Sequence, residues 1–115
     1  MIPSSTIITD EYMKQMSATT KPYTVVVLKK GPEFKMPEVF PIIWEHGRRN
    51  YQLRADGLLS IVCPIPSDDQ MAGIGIFNAD IEKTKEIMNE DPAIKANVLS
   101  YEVFASRSFP GDQLP

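Results

Sequence analysis

The sequence is poor in the side chains on which many small enzymes and metalloproteins rely. Of its 115 residues one is histidine, one cysteine and one tryptophan, and 12 lysines and arginines do not outnumber 15 aspartates and glutamates. The lone Cys63 excludes an intramolecular disulfide, and one cysteine with one histidine cannot furnish a nitrogen and sulfur zinc site from a single chain. A carboxylate-only magnesium or calcium site has no loop signature here, so no metal is expected. With a net charge of -3 the chain lacks the clustered cations that duplex nucleic acid requires, Arg48-Arg49 with Arg54 being the nearest approach. No apolar run nears the ~20 residues of a membrane span. Residues 1–13 have neither a basic start nor a continuous apolar stretch, which speaks against a secretory signal and for a cytoplasmic location. There is no strand, glycine-rich turn and helix in succession, so no nucleotide cofactor is expected either.

What is present reads as one folded domain. Hydrophobic residues make up 43% and charged residues 23%, the balance of a globular chain long enough to bury a core without staples. Residues 1–20 read as an extension, with Asp10 as the cap of a short helix through Met16. Tyr23-Thr24-Val25-Val26-Val27-Leu28 is a β-branched run stopped by Gly31-Pro32 and reads as a central strand. Pro41 suits the first position of a helix that runs to Ala55 and ends at Gly57. Leu58-Leu59-Ser60-Ile61-Val62-Cys63 and residues 71–77 read as the two strands of a hairpin around the turn Pro66-Ser67-Asp68-Asp69. Asn78 or Asp80 caps a second helix over residues 81–89, which Glu90-Asp91-Pro92 closes. A last strand spans residues 98–104, and Ser106 begins a tail rich in proline and glycine.

Strand, helix, strand, strand, helix, strand is the split βαβ order of a ferredoxin-like α+β fold. It implies a four-stranded antiparallel sheet with both helices on one face. The other face would expose Val25, Val27 and their neighbours, and a second copy of the sheet is the simplest cover for so short a chain, so a homodimer built sheet to sheet is expected. The domain proper is placed at residues 21–107, with residues 108–115 as a tail. Cys63 reads as a small buried hydrophobe. Gly73 and Gly75, two apart on one strand face, read as a close-approach or bulge feature.

Acid-base chemistry at neutral pH has one centre, because only imidazole titrates there unperturbed and only His46 supplies it. His46 lies in the helix run Trp44-Glu45-His46-Gly47-Arg48-Arg49-Asn50-Tyr51-Gln52-Leu53. Taken with Leu53, Gly57, Ile76-Phe77, Asp91-Pro92, Ala96 and Val103, this pattern resembles the YciI-like family of the dimeric α+β barrel superfamily over roughly residues 23–107. In that family the helix histidine and the aspartate of the Asp-Pro pair are proposed to form an active-site dyad, and the resemblance assigns those roles to His46 and Asp91. Ala93 departs from the aromatic residue usual after Asp-Pro, and Asn97 from a frequent glycine. Asparagine tolerates left-handed backbone better than most residues.

A carboxylate that accepts from one imidazole nitrogen leaves the other free to move a proton. Arg48 or Arg49 could hold an anionic or enolate oxygen, and Trp44 and Tyr51 could wall an aromatic ligand. The bland readings are a solvated Arg48-Arg49 face, core or dimer contacts for Trp44 and Tyr51, and a turn signal in Asp91-Pro92. Two functions follow. One is a small cofactor-free lyase or isomerase that transfers a proton on a compact, aromatic or enolisable metabolite. The other is a non-catalytic dimeric module that binds a small-molecule ligand or a partner in the same cleft.

Overall fold

The computed structural model describes residues 7–115, so the first six residues of the expected extension lie outside the described part. Eight elements follow in order: α1 (Asp10–Ser17), β1 (Lys21–Lys30), α2 (Val39–Ala55), β2 (Leu59–Pro64), β3 (Met71–Phe77), α3 (Ile81–Asn89), α4 (Pro92–Lys95) and β4 (Leu99–Ser108). The strands form one sheet in the order β2-β3-β1-β4, antiparallel throughout. This is an α+β architecture compatible with a ferredoxin-like fold, and no helix among the described residues is long and apolar enough to cross a membrane.

Alternation along the central strand divides the sheet into two faces. Thr24, Val26 and Leu28 are buried on the helix side, where they meet Leu53 of α2, Ile87 and Met88 of α3, and Leu59, Phe77 and Leu99 of the other strands. Thr24 reconciles its hydroxyl with the core by donating to the Ala79 carbonyl at 2.8 Å. The opposite face carries two rows read from the registers. Ile61, Ile76, Val25 and Phe104 form one, and Cys63, Ile74, Val27 and Glu102 the other. Phe104 is 48% exposed there.

The ends of the elements differ from the sequence reading in instructive ways. Thr9, not Asp10, caps α1, its hydroxyl accepting from the Tyr12 amide at 3.1 Å. α2 begins two residues before Pro41, which therefore sits third in the helix. Its missing N–H costs nothing there, because the first four amides of a helix have no partner within it. Of the two candidate caps for α3 it is Asp80 that accepts from the Lys83 amide, while Asn78 instead receives Lys21 Nζ at 2.6 Å. β1 and β4 are each ten residues long because they pair along their whole length, from Lys21 with Ser108 to Lys30 with Leu99. Ser106, Arg107 and Ser108 are thus strand, not tail. Cys63 is exposed, a correction to its reading as a buried residue, since it lies on the edge strand and points away from the helices.

Candidate active site

His46 is aimed by the way α2 packs and ends. Ile43, His46, Asn50 and Leu53 fall at helical spacing on one stripe, and His46 and Leu53 are the buried residues of the helix. The C-terminus is fixed by Gly57 at φ 76, with the Gly57 amide donating to Arg54 and the Leu58 amide to Leu53. These two bonds close a Schellman turn that a side chain with a Cβ would strain.

Asp91 is aimed by a second cap. It closes α3, as expected, but it is also the N-cap of α4, a four-residue turn that the sequence reading did not resolve. Its Oδ1 accepts from the Ala93 amide at 2.8 Å, with Pro92 in the first helical position. One carboxylate oxygen is thereby committed to the backbone and the other is turned toward α2. There His46 Nδ1 lies 2.7 Å from Asp91 Oδ2, the side chains being 11% and 1% exposed. An ionised carboxylate only accepts, so Nδ1 carries the proton and donates, which leaves the Nε2 lone pair as the free end of the ring.

Burial alone would push the Asp91 carboxyl up, but the His46 hydrogen bond and charge, with the Ala93 and Ile94 amides, outweigh it and hold the carboxyl below the usual aspartate value. Behind the pair stands Arg49, its Nη1 3.8 Å from Asp91 Oδ2. That nitrogen is buried and makes no hydrogen bond. It stands near Asp91 as a charge rather than as a donor.

His46 lines a cavity of about 520 Å³ between α2 and the sheet, walled by β1, β2 and β3. No protein-family model matches this chain, and no curated protein matches it. Asn50, one turn beyond His46, lines the same cavity with its Nδ2 3.4 Å from His46 Nε2, a long contact that a ligand group could replace. Gly73 and Gly75 also line it, and their missing side chains leave open the part of the helix-facing sheet nearest the edge. A Cβ on Gly73 would stand 2.9 Å from the Cys63 carbonyl, which is the close approach expected at this pair.

The remaining candidates are elsewhere. Arg48 bonds Glu45 at 2.9 Å on the surface, Trp44 stacks on Phe40 at 5.9 Å, and Trp44 and Tyr51 are 60% and 71% exposed. The three line a separate concavity of about 290 Å³ on the outward side of α2. Arg49 lines neither space and faces Asp91. Among the described residues no group of three or more His, Cys, Asp or Glu is gathered to hold a metal. Among the side chains with strong hydrogen-bond donors that line the cavity, two were not among the candidates: Asn50, whose position four after His46 was the available signal, and Lys30, at the end of β1.

Proposed function

We propose that the chain is a YciI-like, ferredoxin-fold enzyme that transfers a proton on a compact, enolisable or aromatic metabolite, in a reaction of the lyase or isomerase type. The observation that carries this reading is the 2.7 Å contact of His46 with a buried Asp91, in a histidine that lines a cavity large enough for a small metabolite. In this reading Nε2 takes a proton from the carbon beside a carbonyl, and the electron pair moves onto the carbonyl oxygen. The imidazolium is steadied by Asp91. The proton then returns to another carbon in an isomerisation, or a leaving group departs in an elimination. Asn50 Nδ2, beside Nε2, is placed to donate to the enolate oxygen.

The same reading takes the protein as a homodimer joined through the open face of the sheet, as in a dimeric α+β barrel. Its support is the two rows of Val25, Val27, Ile61, Ile74 and Ile76, apolar side chains that the chain's own helices do not cover.

Proton abstraction is tested without knowing the product. Small enolisable acids and ketones are incubated with the protein in D₂O, and loss of the α-proton signal is followed by NMR. Exchange is expected with the wild type and is expected to fall by about 10²–10⁴-fold in His46→Ala. Absence of exchange with every compound, or equal rates in the variant, would leave the second reading, a binding module whose largely apolar cavity holds a ligand without changing it.

A further inference from the structure

The cavity beside His46 has an uneven distribution of charge. Most of its wall is apolar, with Val26, Leu28, Phe34, Leu59 and Phe77 among its members. The polar side chains on it from the helix side are His46 and Asn50, and the cation on it is Lys30; neither Arg48 nor Arg49 reaches it. Lys30 is the last residue of β1 and pairs with Leu99, a core residue, so it stands on the helix side of the sheet. Its ammonium is held in place from two directions. Nζ donates to the Asp68 carbonyl at 2.7 Å and lies 5.0 Å from the centre of the Phe34 ring.

An ammonium has three N–H donors, and the Asp68 carbonyl takes one of them. The Asp68 carboxylate forms no ion pair with it among the described residues; its Oδ2 accepts instead from the Gln70 and Met71 amides at 2.8 and 2.6 Å. Those two amides, more than Lys30, hold that carboxyl below its ordinary value. Lys30 thus presents donors and a positive charge at the rim of an apolar space whose other polar pole is His46 with Asn50.

On this basis, and resting on the reading of this cavity as the site, we infer that it takes a compact organic monoacid whose carboxylate sits on Lys30 Nζ, with its apolar or aromatic body along the wall and its polar or reacting end at His46. One cation matches one negative charge. A phosphate ester carries nearly two and is recognised by several converging donors or a guanidinium fork, neither of which lines this space. A volume of about 520 Å³ suits ligands on the order of ten to twenty non-hydrogen atoms.

The test is direct binding, measured by calorimetry and by chemical-shift changes, of benzoate, phenylacetate and 3-phenylpropanoate against their amides and against phenyl phosphate. At least one acid is expected to bind the wild type about tenfold or more tighter than its amide, as a charge-assisted hydrogen bond implies. The preference should vanish in Lys30→Gln, whose retained binding of the amide shows that it folds, and return in Lys30→Arg. Equal binding of acids and amides, no binding of any acid at millimolar concentration, tighter binding of phenyl phosphate, or an acid preference that survives in Lys30→Gln would overturn the inference. Acids that bind through Lys30 but undergo no His46-dependent exchange would sink the proton-transfer reading and leave this one standing. Exchange without an acid preference would do the reverse.

Discussion

At the scale of single residues, two committed oxygens on Asp91 decide what His46 can do. With Oδ1 held by the Ala93 amide, Oδ2 can meet only what α2 presents, and α2 presents Nδ1. The neutral ring should therefore be protonated at Nδ1, whereas free histidine favours the other nitrogen. Imidazole ¹⁵N shifts above the titration midpoint will show this, and Asp91→Asn should weaken or reverse it. The acid limb of stability follows from the depressed Asp91 carboxyl. As pH falls, the unfolded chain takes up this proton first, so the contribution is complete above about pH 5 and is lost as pH falls through the folded value. In His46→Ala burial weighs more heavily and the Asp91 carboxyl should titrate higher, which ¹³C carboxyl shifts will report. Asp91→Ala removes the cap and strands the imidazole donor, and should cost about 2–4 kcal/mol in denaturant unfolding. The turn of a helix also explains which neighbours of His46 a closer reading of the spacing would have picked out, Asn50 among those missed. Asn50 and Arg49 are four and three residues from His46 and share its side of the helix, while Arg48 and Trp44 are two away and cannot. That Asp91 meets His46 across 45 residues is not readable from spacing, and only the family resemblance paired them.

Among the elements, those with strong periodic or β-branched signals were readable, and their ends were not. A strand stops where its partner stops. β1 extends over the polar residues Lys21, Lys29 and Lys30 because β4 runs beside them, and no local propensity announces this. α4 has four residues, too few for a helical period, and was seen only as the Asp91-Pro92 turn. Asn97 was readable: it takes φ 59, the left-handed backbone that asparagine tolerates better than most residues. The cavity itself belongs to this scale, because Gly73 and Gly75 leave two places of β3 without side chains. The two should answer differently to alanine. At Gly73 the new methyl meets the Cys63 backbone at 2.9 Å and should cost about 1–3 kcal/mol, while at Gly75 it meets the movable end of Leu59 at 3.2 Å and should change stability by less than about 1 kcal/mol. Thermal unfolding of the pair measures the contrast.

For the molecule as a whole, the fold class was accessible from the order of its elements, whereas which residues reach the cavity depended on packing between β3 and α2. The sheet-to-sheet dimer proposed above has a simple check. Analytical ultracentrifugation should find two chains per particle, and Ile76→Lys, which puts a charge in the middle of the open face, should give a folded single chain. A wild type that sediments as one chain would remove the dimer without touching the site. Trp44 supplies a control for any ligand work, since it stacks on Phe40 on the outward side of α2. Its fluorescence should stay within noise when acids fill the inner cavity, and a large change would place them on the wrong side of the helix. The pairing of β1 with β4 bears on how the chain is made. The central strand is synthesised well before β4, so one of its two neighbours is supplied only by residues 99–108. Until those residues leave the ribosome, β1 is an edge of β-branched side chains open to other nascent chains. A stalled or truncated product ending before Leu99 should therefore be captured by chaperones or aggregate, while a chain that includes β4 closes its sheet.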